Sequence, residues 1–402
     1  MQPLSEQTIA IVKATVPALA RHGIDITRAM YKRLFQDAHI AALFNHSHQG
    51  EDGTQTKALA AAILAYAEHI DNPGALAPAI ERIAQKHVGL QILPEHYPYV
   101  AKALLGAIGD VLGDAATDEV LNAWGEAFWF LADVLKARES ALYGQLASAE
   151  GGWAGWRDFV VADKVRESAI ITSFTLRPRD GAKVIRHKPG QYLSFLLPIP
   201  GAAPVRRNYS ISSAPNGNTY RISVKREPLG TASRWLHDHV RAGDVLAVSP
   251  PAGDFFLSDR PERPVVLLSG GVGLTPMISM VETIAEKHPT LETHFVHGTA
   301  SGSTHAMDQH VRSLARTRGN ISVSTFYSDP EEGDRPGASH DFDGFISLDW
   351  LMKNTPFDRA DFYLCGPKPF LRAFANGLAL AGVPADRIHF EFFGPTEEIL
   401  AA

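Results

Sequence analysis

The stretch ERIAQKHVGLQILPEHYPYV, residues 81–100, places a histidine where a helical pattern calls for an apolar side chain. Ile80, Ile83 and Leu90 follow a helical spacing, and His87 falls on the same stripe. A lone histidine in such a position is most often a core residue whose ring hydrogen-bonds a backbone carbonyl. Other polar residues on apolar stripes are therefore needed to show whether His87 is a core histidine or a metal ligand.

Two such residues are Glu139 and Tyr97. Glu139 lies between Leu135 and Leu142 on the apolar stripe of a long predicted helix, where a carboxylate is expected only with a partner. Tyr97 begins the stripe of another helix, and its hydroxyl also needs a partner. A metal-bound histidine donates from its second nitrogen, often to a carboxylate. If Glu139 accepts a hydrogen bond from His87 and Tyr97 lies nearby, each of the three polar groups has a hydrogen-bond partner.

The choice of metal is narrow. The chain has one cysteine, Cys365, and no His-x-x-x-His pair, so the ligand sets typical of zinc are missing from the sequence. A single histidine in an apolar helical region suits a haem, which needs one proximal protein ligand.

The pattern of the chain predicts three domains. Residues 1–147 have helical periodicity throughout, with about six or seven helices, and Ser5 and Asp25 are candidate N-caps. After Gly151 and Gly152, short alternating segments predict an antiparallel β-barrel over residues 152–263. Buried strands then alternate with helices, which predicts a parallel α/β domain over residues 264–402.

Composition limits the function. The 402 residues carry a formal net charge of −6 without long charge runs, so we expect no nucleic-acid partner. We find no apolar run of membrane-spanning length and no signal-peptide pattern at the start. The single cysteine excludes an internal disulfide framework. We therefore expect a cytoplasmic protein, and a monomer.

A short motif at residues 206–212, RRNYSIS, is typical of a flavin-binding strand. A charged fork from Arg207 suits a diphosphate, although the same letters also fit an exposed arginine beside an ordinary strand. Downstream, LGTASRWLHDHV opens a predicted helix over Gly230 and Ser233. Backbone N–H groups at a helix start are a natural phosphate site, and Ser233 is equally a candidate N-cap.

A glycine-rich loop follows the first buried strand of the third domain. The segment LLSGGVGLTPM, residues 267–277, has the pattern G-x-G-x-x-P between a strand and a helix. The residues that we predict to contact a nucleotide there are Gly270, Gly271, Gly273, Thr275 and Pro276. A tight turn without a ligand would use the same glycines.

Residues 1–147 resemble the globin domain of flavohaemoglobins. The resemblance implies that His87 is the proximal ligand of haem b, that Tyr97 and Glu139 support it, and that Tyr31 is the distal tyrosine. It also implies haem contacts or distal roles for Phe44, Gln55 and Leu59. One departure is the pair Trp129 and Phe130, bulky residues that pack in the core or reshape the haem pocket.

The rest of the chain resembles the ferredoxin–NADP reductase-like module of the same family. The resemblance implies FAD contacts from the motifs PGQY and RNYS and nicotinamide contacts from CGP. It also implies that an aromatic residue in the terminal FEFFGP, Phe393, covers the flavin face, with Glu391 beside it. The residues concerned are Tyr192, Arg207, Asn208, Tyr209, Ser210, Cys365, Gly366, Glu391 and Phe393. It also implies that Lys86 reaches Glu391 across the domain junction. Phe392 departs from the family's usual cysteine, with no functional change attached.

The resemblance implies a nitric oxide dioxygenase that converts NO and O₂ to nitrate, with one haem b, one FAD, and NADH or NADPH as electron donor. The alternatives are a haem-linked NAD(P)H oxidase or alkyl hydroperoxide reductase, a gas sensor or O₂ binder, and a haem-free flavin reductase with a degenerate globin. The complete reductase half disfavours the sensor, because a sensor needs no rapid re-reduction. The patterns leave the choice between NADH and NADPH open, because the strand ending THFVHGTAS has no terminal Asp, Glu, Arg or Lys.

Overall fold

The computed structural model describes residues 3–44, 54–201 and 203–394. These fall into two compact units. The described residues up to Ser148 form most of the first unit, and Ala149–Ile199 with Arg207–Phe393 form the second. Within the described ranges, no helix is long and apolar enough to cross a membrane. The end of the predicted third domain, residues 395–402, lies outside the described residues.

The first unit is helical. Its α-helices within the described residues are α1 (Glu6–Ala14), α2 (Val16–Leu34), α3 (Ala38–Ala41), α4 (Thr54–Glu68), α5 (Ala77–Gly89), α6 (Tyr97–Leu112) and α7 (Asp118–Ser148). Their apolar stripes meet in a core that includes Val12, Ile26, Ile108 and Trp124. The predicted all-α N-terminal domain is confirmed.

The two predicted caps in this unit have different outcomes. Ser5 is the N-cap of α1, and its hydroxyl accepts a hydrogen bond from the Thr8 amide at 3.0 Å. The prediction for Asp25 is wrong, because α2 runs without a break from Val16 to Leu34. Asp25 lies in the middle of that helix and pairs with Arg28, so it supplies a surface charge and caps nothing.

The second unit begins with an antiparallel sheet of six strands. They are β1 (Arg157–Arg166), β2 (Ile171–Pro178), β3 (Tyr192–Leu197), β4 (Val205–Ser210), β5 (Tyr220–Lys225) and β6 (Val245–Val248), with α8 (Thr231–His239) between β5 and β6. The order in the sheet is β4-β3-β6-β1-β2-β5. An antiparallel bridge between Ile211, directly after β4, and Ile222, within β5, links the two outer strands. The sheet thus closes into the predicted barrel.

The second sheet of this unit is parallel. Its elements are β7 (Val265–Gly270), α9 (Leu274–Lys287), β8 (Thr293–Thr299), α10 (Asp308–Thr317), β9 (Ile321–Tyr327), β10 (Phe342–Asp343), α11 (Leu348–Asn354), β11 (Asp361–Cys365), α12 (Lys368–Leu380) and β12 (Ile388–Glu391). The order is β10-β9-β8-β7-β11-β12, so the chain reverses direction across the sheet between β7 and β11. Ligands of open parallel sheets bind at such a switch point, beyond the carboxyl ends of the strands. The predicted boundaries between domains, at residues 147, 152, 263 and 264, stay a prediction.

Candidate functional site

The imidazole of His87 contacts a buried carboxylate. His87 lies in the last turn of α5, and its Nδ1 is 2.7 Å from Oε1 of Glu139 on α7. Glu139 is only 2% exposed. Because a carboxylate oxygen accepts, Nδ1 carries the proton and donates it, which leaves Nε2 with its lone pair. This is the arrangement of a histidine prepared to bind a metal through Nε2.

Tyr97 completes this group. Its hydroxyl donates to the same Oε1 of Glu139 at 2.6 Å and lies 3.3 Å from Nδ1 of His87. Burial, followed by the hydrogen bond to Glu139, raises the pKa of Tyr97 above its ordinary value, so the phenol remains a donor. The structure therefore brings together the three residues that the sequence singled out.

A second cluster surrounds Tyr31. Its ring stacks on Phe35 with centroids 5.3 Å apart and meets the edge of Phe44 at 5.8 Å. Burial raises the pKa of Tyr31 above the ordinary value for a phenol. No described residue forms a hydrogen bond with its hydroxyl, which is thus a donor without a described protein acceptor. Leu59, half-buried on α4, packs against the same core.

The remaining predictions for the first unit concern exposure. Gln55 is half-buried in the first turn of α4. Trp129 is 38% exposed, and Lys136 Nζ lies 5.4 Å from its ring centroid at the surface. Trp129 therefore does not pack in the core, while Phe130 is half-buried, and the expected effect of this pair on the haem pocket stays a prediction. Lys86 is half-buried on α5, and its contact with Glu391 stays a prediction.

The four residues of the flavin motif are consecutive on β4, next to β3. Ser194 on β3 donates its hydroxyl proton to Oδ1 of Asn208 at 2.8 Å. The ring of Tyr209 meets the edge of Phe195 with centroids 5.7 Å apart, and Ser210 is buried. Burial lowers the pKa of Arg207, which marks a partly desolvated cation. Such a cation favours an anionic ligand.

Tyr192 on β3 has an unsatisfied hydroxyl. Its Oη is buried and has no hydrogen-bond partner among the described residues. Burial, and secondarily the charge of Glu391, raises the pKa of Tyr192. Gly253, with a φ of 113°, lies under the ring, and an added Cβ would approach Cε1 of Tyr192 to 3.0 Å. A buried orphan donor is costly unless a ligand supplies an acceptor.

The start of α8 differs from the prediction for Ser233. The N-cap position is Gly230, and Ser233 lies inside the first turn, so the predicted N-cap is wrong. The Ser233 hydroxyl instead accepts from the Glu227 amide at 3.2 Å and holds the preceding loop. A Cβ on Gly230 would overlap Oγ of Ser233, so a larger residue there would force this hydroxyl to move. The phosphate-binding role of Gly230 and Ser233 stays a prediction.

The glycine loop and the Cys-Gly-Pro loop touch backbone to backbone. They follow β7 and β11, which are neighbours with Ser269 paired to Cys365. An added Cβ on Gly273 would overlap the carbonyl oxygen of Cys365, and one on Gly366 would lie 3.2 Å from the amide nitrogen of Gly270. The loops therefore meet at the switch point and keep its floor free of side chains.

The other predicted residues of this region frame the same place. Thr275 donates its hydroxyl proton to Val272 O at 3.1 Å, and Pro276 lies in the first turn of α9. Gly271 has a φ of 53°, in the left-handed region that favours glycine. Burial, then the charge of Glu391, holds the pKa of Cys365 well above its ordinary value.

Glu391 and Phe393 lie at the end of the last strand. Glu391 pairs in register with Cys365, while Phe393 is 46% exposed beyond it.

Family models match three successive parts of the chain. A globin model matches residues 28–135, an oxidoreductase FAD-binding domain residues 158–257, and an oxidoreductase NAD-binding domain residues 267–376. A flavohaemoprotein of Xylella fastidiosa is 56% identical over 398 residues, covering 99% of both chains. One of Rhodopirellula baltica is 45% identical over 407 residues, covering 99% of this chain and 100% of the relative. The chain belongs to the flavohaemoprotein family.

Solved structures agree with this flavohaemoprotein assignment. The flavohaemoglobin of Malassezia yamatoensis, with bound FAD and haem, matches with a TM-score of 0.86 at 28% identity, over 98% of this chain and 100% of that one. The FAD/NAD-binding domain of nitric oxide dioxygenase from Vibrio cholerae matches with a TM-score of 0.54 at 39% identity, over 60% of this chain and 99% of that one. The predicted resemblance and order of fold types are confirmed, as are the oxidoreductase class and the haem, FAD and nicotinamide nucleotide that the three domain types take.

Two features of this flavohaemoprotein were missed from the sequence. Phe370, in the first turn of α12, packs against Gly270 and Gly366 and so supports both loops. Glu282 on α9 accepts from Arg221 at 2.7 Å and from the Ala214 amide at 2.7 Å, which links α9 to the barrel. The signal for Glu282 was available, because it is the one charged residue between Leu274 and Ala285.

Proposed function

We propose that this chain is a nitric oxide dioxygenase, which uses electrons from a reduced nicotinamide nucleotide to convert NO and O₂ to nitrate. The proposal is supported by the union of a globin domain with both halves of an oxidoreductase in one chain. It is also supported by the likeness to a Vibrio cholerae nitric oxide dioxygenase domain. The observation that carries it is the hydrogen-bonded group of His87, Glu139 and Tyr97.

The donor set of the helical unit fits a haem. Nδ1 of His87 is occupied by the buried carboxylate of Glu139, so Nε2 is the nitrogen available to iron. The carboxylate fixes the ring orientation and strengthens the imidazole as an electron donor to a metal. Tyr97 holds the carboxylate in turn, since its hydroxyl donates to the same oxygen. A strongly donating proximal histidine suits oxygen chemistry better than simple storage of a gas.

The second unit fits FAD and a nicotinamide nucleotide. Arg207 offers a partly desolvated cation for a diphosphate, and the buried hydroxyl of Tyr192 lacks an acceptor among the described residues. The glycine floor formed by Gly273 and Gly366 leaves room for a flat ring at the switch point. Cys365 is fully buried in the core beneath this floor, and burial raises its pKa, so its thiol stays neutral there.

The bound groups supply a hydride from the nicotinamide, conversion to single electrons at the flavin, and oxygen activation at the haem. The residues of the chain position these groups and control protons. Tyr31 keeps its phenolic proton at neutral pH, because burial raises its pKa, and so can donate to an anionic ligand in the distal space. The aromatic rings of Phe35 and Phe44 hold the phenol and exclude water around it.

The test is turnover of NO by the purified holoprotein. We expect NO to disappear only when both O₂ and reduced nicotinamide are present, with nitrate formed in equal amount. Electron balance requires one nicotinamide oxidised for every two NO converted. Nicotinamide oxidation that yields peroxide and leaves NO unconsumed would contradict the proposal and favour an oxidase.

A further inference from the structure

Helix α9 holds the loop that follows the flavin strand β4. This loop consists of residues 211–219, between β4 and β5. Oε2 of Glu282 accepts a hydrogen bond from the Ala214 amide at 2.7 Å, and Oγ of Ser279 donates to Ser213 O at 2.7 Å. The helix therefore bonds directly to the backbone of the loop.

The other oxygen of Glu282 joins two further elements. Its Oε1 accepts from the guanidinium of Arg221 on β5 at 2.7 Å and from Nε2 of His310 on α10 at 2.8 Å. Burial alone would raise the pKa of Glu282, but the hydrogen bond from His310 and the charge of Arg221 lower it below the ordinary value, so the carboxylate is ionised. The side chains of Glu282 and Arg221 are 14% and 24% exposed, so water screens this ion pair less than a surface pair.

The same helix also carries the nucleotide loop. It begins at Leu274, directly after the glycine turn Gly271–Gly273. The loop that α9 holds begins directly after Ser210, the last residue of the flavin strand. Within the second unit, one helix therefore connects the predicted nucleotide floor to the predicted flavin site.

Hydride transfer gives this connection a function. The reacting atoms of the two cofactors must approach to about 3–3.5 Å, and a displacement of about 1 Å can slow a reaction on the order of 100-fold. The flavin strand belongs to the antiparallel sheet, whereas the glycine loop follows a strand of the parallel sheet. Because the two sites lie on different sheets, the contacts between the sheets set this distance.

We propose that Glu282 is a positioning residue for hydride transfer, which holds the nicotinamide loop at its working distance from the flavin strand. Glu282 acts through α9 and the loop after β4, without touching either cofactor. The inference rests on the flavin and nicotinamide sites of the proposed function and goes beyond it, because it is independent of the reaction at the haem.

The test measures anaerobic reduction of bound FAD in the intact holoprotein, by stopped-flow absorbance over a range of NADH concentrations. NO and O₂ are left out, so the result is separate from NO turnover. In Glu282→Gln we expect the limiting rate to fall about tenfold, because the reacting atoms are less well aligned. The half-saturating NADH concentration should stay within about twofold of the wild-type value, since no nucleotide contact is lost.

Deuterated NADH identifies the slowed step. With NADH deuterated at the transferred position, the limiting rate of Glu282→Gln should show a primary isotope effect, which assigns the loss to hydride transfer. A slowed rate without an isotope effect would overturn the proposal, because a step other than hydride transfer would then be limiting.

Glu286→Gln is the matched control. Glu286 is an exposed acid one turn further along α9, and its substitution removes the same charge from the same helix. It should keep the wild-type limiting rate. The proposal is overturned by equal rates in the two variants, or by a Glu282→Gln variant that changes only the half-saturating NADH concentration.

Ser279→Ala covers the case in which Glu282→Gln does not retain FAD. It removes one hydrogen bond to the same loop and leaves the ion pair with Arg221 intact. Its limiting rate should fall about threefold at the wild-type FAD content, and in that case an unchanged rate would overturn the proposal. If NADH does not reduce the wild-type flavin, the nicotinamide site is misassigned, and this inference fails together with the electron supply of the proposed function.

Discussion

The hydroxyl of Tyr97 and the Nδ1 of His87 share one acceptor, the Oε1 atom of Glu139, at 2.6 and 2.7 Å. Because Glu139 is buried, each of the two hydrogen bonds helps to offset the cost of holding a carboxylate away from water. The three residues therefore act as a unit, and a substitution of one should change the hydrogen bonding of the other two.

Substitution Glu139→Gln should weaken the donor strength of His87 without removing it. The amide lacks the negative charge that strengthens electron donation from the imidazole to iron, so we expect NO turnover to fall about 10- to 100-fold while haem content is retained. The iron–histidine stretching frequency, measured by resonance Raman, should fall. Glu126→Gln on the same helix is the control, since Glu126 accepts only from Thr8 near the surface in the described contacts. An unchanged stretching frequency would remove Glu139 from the mechanism.

Substitution His87→Ala should abolish haem retention and leave the reductase intact. The globin domain would lose the nitrogen that Glu139 orients, so the Soret band should be absent after haem supplementation. FAD content and electron transfer from NADH to a dye should equal those of the wild-type protein. His69→Ala, at an exposed position after α4, should keep a normal Soret band. A normal band in His87→Ala would show that another residue is the ligand.

Substitution Tyr31→Phe should speed oxygen dissociation from the reduced holoprotein and lower NO turnover. Removal of one donated hydrogen bond to a partly charged ligand corresponds to roughly a tenfold change. Flash photolysis and NO electrode measurements give the two rates. Tyr66→Phe is the control, because that hydroxyl donates to the Ala127 carbonyl at 2.7 Å and should affect stability alone. If both variants keep the wild-type oxygen dissociation rate, Tyr31 has no distal role.

Substitution Tyr192→Phe should affect FAD binding and stability in opposite ways. The apoprotein should be as stable as the wild type, or more stable by up to about 1 kcal/mol, because an unsatisfied buried hydroxyl is removed. The dissociation constant for FAD should rise about tenfold as a donor to the cofactor is lost. Tyr220→Phe provides the contrast, since its hydroxyl donates to Ile185 O at 2.8 Å and its removal should cost about 1 kcal/mol. Urea unfolding and flavin fluorescence titration measure both quantities.

Substitution Gly273→Ala should block hydride transfer to the flavin. The added methyl would overlap the carbonyl of Cys365, so the two loops must separate or the helix α9 must shift. We expect a loss of stability of about 2 kcal/mol or more, by the cost of overpacking, and little flavin reduction by NADH. Gly319→Ala, where an added Cβ meets nothing within 4 Å, is the control. Wild-type reduction rates in Gly273→Ala would mean that the loops are not the nucleotide floor.

The sequence predicted the geometry around His87 well because each helix has one apolar stripe, and a polar residue on that stripe stands out. Glu139 was found in this way, although it is 52 residues from His87. Local signals were less reliable where tertiary packing decides the outcome. Asp25 has the chemistry of an N-cap, but the packing of α2 carries the helix through it. A linear pattern does not show that the buried Tyr192 hydroxyl lacks a partner among the described residues, nor that Ser301 donates a hydrogen bond to Glu331. Both features depend on segments that are distant in the chain.

The bridge between Ile211 and Ile222 has a consequence for the energetics of the barrel. It ties β4, the strand with the flavin motif, to β5 as well as to β3. If Arg207 to Ser210 contact FAD as proposed, the sheet fixes their backbone before any cofactor arrives. Binding then costs little backbone conformational entropy, and more of the interaction free energy remains as affinity.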